Sequence, residues 1–210
     1  GDVAGILGDN VLFSQVTNEQ YAILNSLFTP SPYGFGLPSG DSYFNTLVNS
    51  TLQKLKTNGV YDQIYHKWFG AEATPYAIEV LPGQWPYSFS ASPTTLDLPV
   101  RSKVEQIQSR GKILAGVLYD YQPFGFLSAN AQVDGFDVDI VHELATRWLG
   151  DAGAVEFVPV TFADGPQKLA AGEIDLVAAA LPHLQDREET IDYSQSYYYG
   201  EYALLVRADG

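Results

Sequence analysis

Apolar residues recur along this chain with two alternating periods, one helical and one strand-like, and that alternation predicts an α/β layered fold. Phe44, Leu47, Val48, Leu52 and Leu55 repeat at helical spacing, with Ser39 or Asp41 placed as a cap and Asn58-Gly59 as a stop. Tyr61, Ile64, Tyr65, Trp68 and Phe69 share one face of a second short helix ended by Gly70, and their rings read as core packing. From 71 to about 99 the periodicity fails. Pro75, Pro82, Pro86, Pro93 and Pro99 stiffen a stretch too long for a loop inside a compact domain, which predicts a linker or a surface wrap. An amphipathic turn around Val104 to Ile107 and a buried strand from Ile113 to Leu118 come next. Gly135-Phe136-Asp137 leads into a helix with Ile140, Val141, Leu144, Ala145 and Trp148 on its inner face. A strand at Val155 to Val160, a short helix capped by Asp164, and a strand at Ile174 to Ala180 complete the series. This rhythm is that of parallel βαβ units, which place ligands at the carboxyl ends of their strands.

Composition narrows the partners. With 210 residues and 46% hydrophobic content the chain buries one good core or two small ones. A formal charge of -14 repels phosphate backbones and anionic lipid, so no nucleic-acid partner is expected, and the acidity reads as a solvated surface. No apolar run approaches the roughly 20 residues that span a bilayer, and no charged-then-apolar leader opens the chain. The absence of cysteine removes disulfides, Cys-ligated zinc and thiol chemistry without choosing a compartment. His66, His142 and His183 lack ligand spacing, so neither metal nor cofactor is expected. Asp137 and Asp139 face different directions on their helix and suit its positive end. Ser194 has no nearby histidine or elbow motif, and no catalytic set emerges.

Longer strings carry a resemblance. RGKILAGV (110–117), PFGF (123–126), GFDVDI (135–140), the stretch from Phe162 to Ala180, DREETIDYS (186–194) and ALLVRA (203–208) resemble the first lobe of the polar amino-acid-binding, solute-binding proteins of ABC transporters. AGILGDN (4–10), SPYGFGLPSGD (31–41) and the string from Leu47 to Gly70 resemble the last third of the same family. The order of parts is therefore reversed, and the family's middle, which builds most of its second lobe, has no counterpart here. The resemblance implies a three-layer α/β lobe of a type II periplasmic binding protein, with a mostly parallel sheet, helices on both faces and a second lobe largely missing. Residues 1–28 would be a remnant of that second lobe, 29–70 a hinge strand and closing helices, 71–99 a linker, and 100–210 the first lobe, ending in a hinge strand. A junction of two tandem binding domains, or a rearranged or engineered lobe, fits this order; the spacer-like linker favours the junction. The remnant, without its partner strands, is expected to pair with another chain, pack on the linker or stay loose.

The resemblance also implies a site. Arg187 matches the arginine that grips the ligand's α-carboxylate, which a planar guanidinium can hold through two bonds. A surface pairing with Asp186 or Glu188 is the plainer alternative. Asp9 matches the aspartate that takes the ammonium; it is equally placed to cap a helix before Val11. Tyr121 and Phe162 match the aromatic walls, with core packing the alternative for Phe162. Ala180 offers a backbone amide at a second carboxylate contact. Pro182 stands where the family presents a hydroxyl residue, so an amide hydrogen and a hydroxyl vanish together. His183 beside it is a replacement donor or a solvent-facing loop residue.

The function so implied is capture of a polar amino acid or related solute, outside the bacterial cytoplasm, for an ABC-transporter permease by closure of two lobes. The hinges are expected at Tyr33 to Leu37 and Tyr202 to Arg207. A sensory ectodomain and a dehydratase-like enzyme are the alternatives; the latter needs a buried carboxylic acid with a raised pKa facing the cleft. A homodimer through exchanged elements is a further expectation. One charge-assisted bond to Arg187 contributes only about 1.5 to 3 kcal/mol, whereas millimolar binding already needs roughly 4. The chain alone is therefore expected to bind amino acids weakly or not at all.

Overall fold

The computed structural model describes residues 5–14, 16–24, 30–80 and 102–208. Strand β1 (Gly5–Asp9), helix α1 (Asn10–Ser14) and strand β2 (Tyr21–Ile23) open the chain. Strand β3 (Pro30–Pro38) and helices α2 (Ser42–Thr57) and α3 (Val60–Phe69) follow. Beyond them lie α4 (Lys103–Arg110), β4 (Ile113–Val117), and the short strands β5 (Asp120–Tyr121), β6 (Gly125–Leu127) and β7 (Val133–Asp134). The last part holds α5 (Phe136–Leu149), β8 (Val155–Pro159), α6 (Gly165–Ala170), β9 (Leu176–Pro182), β10 (Ile191–Tyr193) and β11 (Tyr198–Arg207).

The main sheet runs β1-β11-β3-β9-β4-β8, with β10 added on β3 and β2 on β11. Its heart is parallel, β4 between β8 and β9. Strand β3 pairs antiparallel with β9, β10 and β11. The alternation of a strand divides the core as period two requires. Leu176, Ala178 and Ala180 join Ile113, Ala115 and Val117 in the large core beneath α2, α4 and α5. Val177, Ala179 and Leu181 face the other way, onto Leu169 of α6, Val160 and Ile191. Helices thus cover both faces, the three-layer lobe that the α/β rhythm and the resemblance imply.

Closing helices and first lobe are joined through one carboxylate. Asp41 accepts from Phe44 N at 3.0 Å, capping α2, and from Lys103 N at 2.7 Å at the start of α4. Ser102 bonds both oxygens of Asp41 and accepts from Val104 N, capping α4. Asp175, buried, accepts from Leu114 N at 2.8 Å and pairs with Arg110 and Lys103, so its charge is balanced inside the fold. Asp164 departs from the cap expected of it: its Oδ1 accepts from Thr161 N at 2.6 Å and from the Thr161 hydroxyl, which in turn accepts from Asp164 N.

The first residues find partner strands within the chain, because β11 runs on past β3 and offers both its edges. Strand β1 pairs antiparallel with Tyr202 to Val206, and β2 with Leu205 to Arg207. Phe13 of α1 packs on Ala203 and Leu205 as a small satellite core. Ile6 and Leu7 of β1 remain 54% and 61% exposed. Of the stretch 71–99, residues 71–80 follow an irregular path in which Ile78 is buried and the Tyr76 ring stacks on Tyr199 at 5.2 Å. The remainder lies outside the described residues.

Candidate functional site

Strand β9 carries the first half of the site. Its pairing with β3 shifts between Gly34↔Leu181 and Gly36↔Val177, so two residues of advance on β3 meet four on β9. Ala180 lies inside this bulge with φ 45, a left-handed conformation that its Cβ disfavours. The displaced amide donates to Asp137 Oδ2 at 2.7 Å, and Asp137 Oδ1 accepts from the Tyr197 hydroxyl at 2.8 Å. The Ala180 amide thus faces the protein rather than a ligand, a correction to the contact expected of it. Asp137 is 0% exposed, and burial pushes its carboxyl up to about 7, against the two hydrogen bonds that act to lower it.

Past Pro182 the chain turns back to β10 through the loop that holds Arg187. Arg187 N donates to Leu184 O at 3.0 Å, and Arg187 O accepts from Ile191 N at 3.0 Å, fixing the turn. The guanidinium Nη1 is shielded from solvent and has no hydrogen-bond partner. Among the described residues no ion pair joins it to Asp186 or Glu188, the pairing its surface alternative requires. The Tyr193 hydroxyl lies beside Arg187 and donates to Pro182 O at 3.0 Å. His183 stacks on the Tyr193 ring, centroids 4.4 Å apart. Its Nε2 has no partner and points at Gly34, where a Cβ would stand only 2.2 Å away. That nitrogen is turned into the sheet, not toward Arg187 as a replacement donor. Burial lowers the His183 pKa, with Glu188 acting the other way.

A second group forms around Asp9 at the end of β1. Asp9 Oδ1 accepts from Val11 N at 2.7 Å, as a helix cap does, and Oδ2 accepts from the Tyr33 hydroxyl. Tyr121 shares this carboxylate and the Tyr33 hydroxyl, and its pKa is raised by burial first and by Asp9 second. The Tyr121 ring meets Phe162 edge to face at 5.4 Å and stacks on Phe124 at 5.8 Å. Asp9, Tyr121 and Phe162 are thereby brought into one chain of contacts, and Tyr33, the link between them, pairs across the sheet with Pro182. Among the described residues no hydrogen bond joins this group to Arg187 directly. A cavity of about 450 Å³ lies nearby, lined by Val11, Ser14, Trp68, Phe69, Gln122, Pro123 and Phe126. Its walls are uncharged, part polar and part apolar, and include neither Arg187 nor Asp9, so the charged chemistry lies outside it.

Three side chains of this region carry no site role in the sequence: Tyr33 stands in a matching string and a hinge, Tyr193 in a matching string, and Asp137 in a matching string at a helix start. Among the described residues no His, Cys, Asp or Glu cluster is arranged to hold a metal ion. No helix is long and apolar enough to cross a membrane among the described residues.

Residues 113–210 match the sequence model of the bacterial extracellular solute-binding proteins, family 3. The glutamine-binding protein of Geobacillus stearothermophilus is 36% identical over 107 residues, 50% of this chain and 41% of that protein. The ABC transporter glutamine-binding protein GlnH of Bacillus subtilis is 31% identical over 102 residues, 48% of this chain and 37% of that protein. Among solved structures, the solute receptor for L-cysteine of Neisseria gonorrhoeae has 37% identity and a TM-score of 0.42, covering 42% of this chain and 36% of that one. The chain therefore spans well under half the length of these relatives.

Proposed function

We propose, from the match of residues 113–210 to the sequence model of family 3 of the bacterial extracellular solute-binding proteins, that this chain carries the ligand-gripping lobe of a receptor for a polar amino acid. Glutamine is the first candidate, since the relatives named for it match this half of the chain. The receptor works outside the cytoplasm and hands its solute to an ABC-transporter permease. The observation that carries the reading is Arg187, whose guanidinium Nη1 is shielded from water and unpaired. An unpaired buried cation donor is costly, and an arriving carboxylate relieves that cost with two parallel hydrogen bonds. Tyr121 and Phe162 supply the aromatic wall for the ligand's side chain, and Asp9, already holding hydroxyl donors, accepts its ammonium.

Strands β3 and β11 serve as the hinge in this proposal: adjacent and antiparallel, they tie residues 29–70 to residues 100–210 as one lobe. Residues 1–28 are then the remnant of the opposing lobe, seated on the far end of β11, and 71–99 the connection. Exchange of β1 and α1 between two copies belongs to the same reading, and sedimentation of the chain as a dimer rather than a monomer checks it.

Asp137 bears on the choice between capture and turnover. It is a buried carboxyl with a raised pKa, the group a dehydratase-like mechanism requires, yet both its oxygens are engaged and no surface reaches solvent. A proton held there does not meet a substrate, which favours binding without chemistry. The test of the whole reading is a nuclear magnetic resonance titration with L-glutamine and other polar amino acids. Shifts centred on residues 182–193 and lost in Arg187→Ala are expected; a response confined to other regions, or unchanged in that variant, overturns the proposal.

A further inference from the structure

The carboxylate of Asp137 accepts from two donors on two separate segments. Ala180 N belongs to the bulge of β9 that launches the Arg187 loop; the Tyr197 hydroxyl belongs to the residue just before β11. Tyr197 N in turn donates to Tyr33 O at 2.9 Å, so the same contact reaches β3. The two donors differ in one respect. An amide hydrogen cannot turn around, whereas a phenolic hydroxyl can rotate and accept. Among the described residues no cation shares the site. Around α5, Lys67 of α3 pairs with Asp139, Asp134 of β7 accepts from Gly135 N, and Glu156 of β8 pairs with Lys112. Tyr61 and Tyr65 of α3 reach the aromatic ring of Phe136, Lys56 of α2 pairs with Asp62, and β4, β6 and β9 bring no charged residue.

We propose that Asp137 is a positioning residue, a proton-operated clamp that sets the Arg187 loop against strand β11. When ionised, the carboxylate accepts from both segments at once and fixes the left-handed bulge relative to the hinge. On protonation the new O–H occupies Oδ1, because Oδ2 still faces an amide hydrogen that cannot yield. Asp137 then donates to Tyr197, whose own hydroxyl hydrogen must leave its acceptor. The link to Ala180 survives and the link to β11 loosens. The raised carboxyl pKa noted above places this exchange near neutrality. The clamp does not rest on the proposed function.

The experiment is a backbone amide titration of the chain without any solute, from about pH 5 to about pH 9, across the range where a raised carboxyl titrates. The Ala180 and Arg187 amide resonances are expected to move with one shared midpoint near neutrality. Asp137→Asn abolishes the movement. Tyr197→Phe removes a donor that favours the ionised form and so shifts the midpoint upward, which keeps the test alive should the Asn variant not fold. A flat Ala180 profile in the wild type, or one that persists in Asp137→Asn, overturns the clamp. Movement of Ala180 with residues 182–187 fixed overturns its positioning role. A failed glutamine titration leaves these outcomes untouched, so the two readings fall separately.

Discussion

At the residue scale, Asp137 heads the series 137, 140, 141, 144 on the buried stripe of α5 and is fully buried. Its charge and its position in the first turn suggested only an acid suited to the positive end of the helix. The left-handed Ala180 had no signal at all, since alanine is among the residues least expected there. The raised carboxyl pKa also fixes a sign. Below about pH 4 Asp137 is neutral in both states; between about 4 and 7 only the unfolded chain ionises it, so stability falls as pH rises through that window and levels off above. The fall is at most about 4 kcal/mol. Denaturant unfolding of the wild type against Asp137→Asn should show the difference shrinking toward acid and fully grown above neutrality. A second expectation concerns Gly34, which leaves room for the His183 ring. Gly34→Ala should destabilise by about 1 to 3 kcal/mol, and His183→Ala in the same chain should recover most of it, as a double-mutant cycle of melting data can tell.

At the element scale, most of the fold was legible. The helices at Phe44 to Leu55, Tyr61 to Phe69 and Ile140 to Trp148 follow their apolar period, and the strands at Ile113 and Val155 begin where the pattern placed them. What escaped was the non-local pairing. Strands β1 and β2 both pair with the far half of β11, through contacts nearly the whole chain apart, which local patterns do not encode. Asp41 is the informative case between these extremes. It was legible as a cap for α2, but its second bond, to the start of α4, joins residues on either side of the connection. Asp41→Ala should therefore cost more than the roughly 1 kcal/mol of one lost cap, approaching 2 to 3 kcal/mol with two helix starts and the Ser102 hydroxyl left unpaired. A thermal shift no larger than that of an ordinary cap variant would mean the two helices are not coupled there.

At the scale of the whole molecule, the proposal is that β3, α2 and α3 complete one lobe with the elements from α4 to β11. The core is continuous from β3 and α2 through β4 and α5, across the connection in sequence, and Arg187 lies on the loop that leaves this sheet. The candidate site was legible only through strings of matching residues. Spacing alone left Arg187 a surface residue, and only the shielded, unpaired guanidinium nitrogen distinguishes it. Asp9 and its tyrosines provide a further contact, yet a zwitterion gripped from one side keeps much of its surface in water. The most direct measurement is calorimetric titration of the unmodified chain with L-glutamine. The account predicts affinity no tighter than millimolar, about 4 kcal/mol of binding free energy. Micromolar affinity in the isolated chain would contradict it.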